Sequence, residues 1–186
     1  MKTDEIKLLY EYTFWADRRM LAATAKVSPE QYVAPTQFGV AYGSLRGALI
    51  HALDGMRGWR IICQKFFVPR GAEKGAAEQP DVWGQLTESS LSTFDQLNQR
   101  WRTEEREMRS YVGTLTDGML EGVVRYAVGG GIVRERPLWQ CLFHAQNHAT
   151  QHRSESAALV TSYGQSPGDM DFTLFLNEYL KLQAEV

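Results

Sequence analysis

Apolar positions recur at helical spacing through most of this chain, with one alternating stretch in the C-terminal half. From about residue 4 to 25, Leu8, Tyr12 and Trp15 follow an i, i+4, i+7 pattern, and Leu9, Ala16 and Met20 widen that face. Ser28-Pro29-Glu30 reads as a break followed by a short helix start. Residues 32–42 hold Pro35 and Gly39 and read as a loop. Ser44 is placed to cap a second long helix reaching about Phe67, with Leu45, Leu49, Ala52 and Met56 along one side. Pro69, Gly71, Gly75 and Pro80 mark residues 68–81 as a linker. Asp81 then reads as the N-cap of a third long helix, to about Ser110, with a stripe of Phe94, Leu97, Trp101 and Met108.

The period then changes. Val123, Val124, Tyr126 and Val128 precede Gly129-Gly130-Gly131, and Ile132-Val133 follow, which predicts a short β-hairpin turning on glycine. Pro137 suits the first turn of a fourth long helix, which runs to about Tyr163 and ends at Gly164. Asp169 or Asp171 caps a final short helix through Leu180. Four long amphipathic helices with longish connections predict an all-α fold, an antiparallel four-helix bundle with a short β-hairpin before the last long helix. No internal repeat is evident, and 186 residues suit a single domain, 1–186.

Composition narrows the function. The net charge is −2, so no electrostatic case exists for nucleic acid. The richest basic cluster, Arg100, Arg102, Arg106 and Arg109, is interleaved with Glu104, Glu105 and Glu107 and reads as a solvated helix face. No apolar run approaches the ~20 residues of a membrane span. Met1-Lys2-Thr3-Asp4-Glu5 becomes charged where a signal peptide turns apolar, so the expected location is cytoplasmic. Cys63 and Cys141 fall in predicted helices without CxxC spacing, which suits reduced thiols. Exposed aromatics among Trp83, Trp101 and Trp139 are candidates for a subunit interface.

Candidate chemistry rests on the four histidines. His144, His148 and His152 are spaced by four and lie along one helical stripe, while His51 stands alone on the second helix. Neutral imidazole is a common ligand for zinc and its neighbours. At a rise of ~1.5 Å per residue, His144 and His152 are ~12 Å apart along the axis, too far to share one ion. Two pairs stay open, His144 with His148 or His148 with His152, and His51 is left as the third ligand. Three histidines leave one tetrahedral position for water or substrate, the mark of a catalytic site. HExxH, the Glu-x-x-His pairs of di-iron bundles, GxSxG and Walker-type loops do not occur. Gly129-Gly130-Gly131 belongs to the hairpin rather than to a phosphate cradle, and Cys141 reads as a small core residue rather than a nucleophile paired with His148.

At these residues the chain resembles the DinB-like family of helical-bundle metalloproteins, over nearly its whole length. Tyr12, Trp15, Ala16, Asp17 and Arg19 are similar to that family's Y-N-x-W-A-N-x-R signature, with Thr13 and Asp17 replacing asparagines. Gly43-Ser44-Leu45-Arg46-Gly47, then His51 and Trp59, resemble its G-S-l-r-x-x-l-x-H…W stretch, with Met56 where an acid is usual. Leu138-Trp139 through Phe143-His144-Ala145-Gln146-Asn147-His148-Ala149-Thr150-Gln151-His152-Arg153 resembles l-w-x-x-l-x-H-x-x-N-H-x-x-x-H-R. Gly164 followed by Asp171 is similar to the closing segment.

The resemblance implies His51, His148 and His152 as metal ligands, with His144 a neighbour. It implies structural roles for Asn147 and Arg153, the latter in a salt bridge, and leaves Gln151 outside the ligand set. It further implies an up-down-down-up bundle, often a homodimer, binding Zn2+ or Ni2+. In some relatives a low-molecular-weight thiol serves a transferase or isomerase acting on a small-molecule electrophile. The other reading is a non-enzymatic, metal-dependent stress- or damage-response interaction protein. No catalytic side chain is assigned.

Overall fold

The computed structural model describes residues 1–36 and 43–184. It is mostly helical, with a small antiparallel sheet. In chain order the elements are α1 (Thr3–Thr24), α2 (Pro29–Val33), α3 (Leu45–Lys65), β1 (Phe67–Val68), α4 (Phe94–Gly113), α5 (Asp117–Leu120), β2 (Val123–Val128), β3 (Ile132–Pro137), α6 (Leu138–Ser162) and α7 (Phe172–Ala184).

Local chemistry sets most of the boundaries. The Ser28 hydroxyl accepts from the Gln31 N–H and Pro29 opens α2. Ser44 accepts from the Gly47 N–H at 3.0 Å, the expected cap of α3. Gly164, at φ 80°, closes α6, and Gln165 donates back to the Val160 carbonyl at 3.0 Å. The Asp171 carboxylate accepts from the Thr173 N–H at 2.7 Å at the head of α7, so Asp171 rather than Asp169 holds that end. Of the loop expected over 32–42, residues 32–33 are still helical, and Gly39 lies outside the described residues.

Three boundaries depart from expectation. The third long helix starts at Phe94, not after Asp81. Thr93 accepts from the Gln96 N–H while the Gln96 side chain returns to the Thr93 N–H, a reciprocal cap that Asp81 lacks. Residues 82–93 instead fold back over α3 and bury Val82 and Leu91. The second long helix stops at Lys65, because Phe67 and Val68 pair with Val124 and Val123 as a third strand. On α1 the fully buried line is Ile6, Tyr10, Phe14, Asp17 and Met20. The stripe through Leu8, Tyr12 and Trp15 is only half-buried, since Phe172 and Phe175 of α7 cover Tyr12 and Trp15.

The expected hairpin is present: β2 pairs with β3 from Val123↔Pro137 to Val128↔Ile132, joined by a 3₁₀ turn at Gly129–Gly131. Gly130 and Gly131 have φ of 75° and 73°, which side chains with a Cβ rarely adopt.

Side-chain pairs fix how the long helices run. Arg153 Nη1 donates to Asp17 at 2.8 Å and the Tyr10 hydroxyl donates to the Leu142 carbonyl, so α1 and α6 run the same way. Asp17 also meets Trp101 while Glu11 meets Arg109, so α4 runs opposite to α1. On α3, His51 faces His152 and Trp59 faces His144, so α3 runs opposite to α6. Two apolar clusters result, one around Tyr10, Met108 and Leu142 and one around Leu49, Leu97 and Leu159. Along α1 and α6 the Asp17–Arg153 pair falls between the two.

Buried charges along α4 are paired. Glu104 occupies a fully buried place in the stripe from Leu97 to Met108 and accepts from Arg60 at 2.5 and 3.0 Å. Of the arginine-rich face expected to be solvated, Arg102, Arg106 and Glu107 are exposed, whereas Arg100 and Arg109 are half-buried on Glu104 and Glu105, and Glu104 is buried. Trp101 is buried, against its place among exposed interface aromatics, because it packs into the second apolar cluster. Trp139 is half-buried against the first cluster, and Trp83 alone of the three is exposed.

Candidate metal centre

The antiparallel register of α3 and α6 brings the lone histidine to the histidine run. His51 lies half-buried on α3, and His148 and His152 project one turn apart from α6. Ring centroids are 5.0 Å apart for His51–His148, 4.5 Å for His51–His152 and 4.4 Å for His148–His152. One ligand atom from each lies within 4.8 Å of the others. His144 is 6.1 Å from His148, ring to ring, and instead stands edge-on to Trp59 at 4.8 Å. Spacing left two histidine pairs open; the fold gathers His148 and His152 about His51 and leaves His144 one turn away.

The donor set fits a divalent ion. Two nitrogens bonded at about 2.0–2.1 Å to one tetrahedral centre lie about 3.3 Å apart. The Nε2 atoms of His51 and His148 face each other at 3.2 Å. The third imidazole is oriented from behind: Nδ1 of His152 lies 2.7 Å from Glu155 Oε2, one turn further along α6. A carboxylate accepting from Nδ1–H keeps the lone pair on Nε2 and fixes the ring, the usual support of a metal-bound histidine. Burial alone would raise the Glu155 carboxyl, but the hydrogen bonds from His152 and Gln151 hold it below its ordinary value.

Burial lowers the His51 imidazole, with His152 adding to the effect. Burial also lowers His148, to about 4, and the neighbouring His152, His51 and His144 push the same way. Both rings are therefore neutral at pH 7, so a cation meets lone pairs without displacing protons. His144 is lowered by partial burial and by Arg136.

Gly55 makes room for His148. A Cβ built there would lie 2.5 Å from Cε1 and 2.8 Å from Nδ1 of that ring. Nδ1 of His148 is buried at this contact and has no hydrogen-bond partner, so position rather than hydrogen bonding holds the ring. Three glycines in one helix cost stability relative to alanine, which makes Gly47, Gly55 and Gly58 a sequence signal for close approach. Glu155 carried a signal too, an acid three residues after a candidate ligand.

His51, His148 and His144 line a cavity of about 480 Å³, together with Trp83, Gly84, Leu86, Thr87 and Glu88, while His152 lies buried behind them. That volume lies in the range of small-molecule sites. Cys141 is buried beside Cys63 rather than in this cavity, which agrees with its reading as a core residue. Arg153 makes the expected salt bridge, to Asp17. Asn147, expected to take a structural role, is exposed.

A model of the DinB family matches residues 1–182. The chain belongs to the DinB family. No curated protein matches it in a sequence search. This DinB-family chain holds a three-histidine group close enough to bind a divalent ion, two members of which, His51 and His148, line the cavity. No helix among the described residues is long and apolar enough to cross a membrane.

Proposed function

We propose that His51, His148 and His152 bind one divalent metal ion, Zn2+ or Ni2+, and that the protein is a thiol-dependent, S-transferase-like metalloenzyme acting on a small electrophile. The single observation that carries this reading is the 3.2 Å approach of two Nε2 atoms from different helices beside a third imidazole backed by a carboxylate. The running directions of α1, α3, α4 and α6 support an up-down-down-up four-helix bundle as its frame, with the whole chain, 1–186, as one domain.

When bound, such an ion would supply Lewis-acid chemistry, favouring the thiolate form of a thiol whose sulfur bonds an electrophilic carbon as the leaving group departs with its electron pair. The chain's own part is to bind and to orient. Burial keeps His51 and His148 unprotonated, Glu155 holds His152, and Gly55 sets the depth of His148. The cavity beside them admits a small molecule. We further propose a homodimer, for which Ile132, Val133 and Phe143 are exposed apolar side chains available to an interface.

Metal analysis of the purified protein should return about one divalent ion per chain. A protein that takes up neither zinc nor nickel, with a His148→Ala variant of the same metal content, would overturn the site. Metal-loaded protein incubated with low-molecular-weight thiols and electrophiles should consume both. No rate above background across a broad panel would leave a metal-dependent interaction protein instead. Sedimentation at micromolar concentration tests the dimer.

A further inference from the structure

The cavity beside the histidines has a second built feature, an aromatic wall. Trp83 is 46% exposed, the most open tryptophan side chain among the described residues, yet it is not loosely held. The Gly84 N–H, on one side of it, donates to Asp54 Oδ2 at 2.7 Å. The Val82 carbonyl, on the other, accepts from Arg57 Nη1 at 3.1 Å. The indole itself lies on Gly58, where a Cβ would come within 2.3 Å of Cζ3. Backbone is thus pinned to α3 on both sides of a ring seated against a helix that has no side chain there.

A continuous run of rings joins this wall to the metal centre. Trp83 stands edge-on to Trp59 at 5.9 Å, Trp59 to His144 at 4.8 Å, and His144 lies 6.1 Å from His148. Ile50 and Leu86 extend the apolar lining. Among the described residues no lysine or arginine lines the cavity, so its wall offers no cation to an anionic group. Its carboxylates stand beside cations or donors: Asp54 Oδ2 accepts from the Gly84 N–H, its Oδ1 lies 3.7 Å from Arg57 without a hydrogen bond, and Glu88 pairs with Arg46. The wall is therefore apolar, aromatic and close to neutral.

We infer that Trp83 and Trp59 form a subsite for the uncharged, flat apolar body of a small molecule whose metal-binding donor reaches the three histidines. Aromatic pairs stabilise beyond the area they bury. This inference rests on the metal reading above, and one experiment separates the two.

Protein loaded with Co2+ is titrated with benzyl mercaptan and with 2-mercaptoethanol at fixed pH, following the cobalt–thiolate charge-transfer band in the near ultraviolet. Benzyl mercaptan should bind about tenfold tighter or better. In Trp83→Ala, and again in Trp59→Leu, the ratio should fall toward one. Equal affinities in the native protein, or a preference that survives both substitutions, would overturn the subsite while leaving the metal site standing. Absence of any cobalt band would overturn the metal reading and the subsite together.

Discussion

Gly55→Ala tests the centre with one added methyl group. The new Cβ would stand 2.5 Å from Cε1 of His148. Carbon atoms settle about 3.5–4.0 Å apart, so the ring must retreat by roughly 1 Å. Metal–nitrogen distances tolerate only about 0.2 Å, so this ligand is lost or badly misplaced. Loss of a supporting partner alone weakens metal binding by about 10–100-fold, and loss of a direct ligand should reach at least the upper figure. Stability moves much less. Alanine gains about 0.5–1 kcal/mol over glycine inside a helix. Overpacking costs about 1–3 kcal/mol against it. A net cost of up to ~2.5 kcal/mol shifts the Tm of a domain this size by no more than roughly 10 °C.

The assay is competition with a chromophoric zinc chelator, beside thermal melting of the metal-free protein. Gly113→Ala is the control, since nothing lies within 4 Å of a Cβ built there. Gly55→Ala that stays folded and binds zinc as tightly as the native protein would refute the proposition that this glycine sets the position of His148.

Three further outcomes are expected. Glu155→Ala removes the partner of His152 Nδ1 and should weaken metal binding by about 10–100-fold in the same competition assay, with Glu155→Gln falling between it and the native protein. Arg153→Met leaves Asp17 buried without its cation and should cost about 3–5 kcal/mol in urea unfolding; a cost below 1 kcal/mol would show that Trp101 alone satisfies the carboxylate. His148 is held at about 4, below its ordinary value of 6.5, so the unfolded chain binds the extra proton between those values. The stability that this adds to the metal-free protein is present in full above pH 6.5 and is lost as pH falls toward 4; His51 and His144 act in the same direction. A urea midpoint that does not fall across that window would count against buried, neutral histidines.

Much of this architecture was legible in the sequence, because it depends on neighbours in the chain. Ser44 caps α3, Gly164 closes α6 and glycines turn the hairpin, each through contacts spanning a few residues. Asp81 misled for the converse reason. Residues 82–93 are held over α3 by contacts distant in the chain, and the cap falls to Thr93, which has a reciprocal pair in Gln96. Strand β1 is two residues long and carries no periodic signal; only its pairing with β2 defines it.

The histidine stripe itself was determined by sequence, since helical rise and rotation are local properties that place His148 and His152 on one face and forbid His144 and His152 a common ion. Which pair His51 would join was not. That choice follows from the register of α3 against α6, set by packing across the whole interface, where His148 settles onto Gly55 and Trp83 onto Gly58. Trp83 became part of the site only in three dimensions, because a wall across a cavity is a distance through space, which spacing along a chain does not specify, whereas Glu155 lies one helical turn from His152.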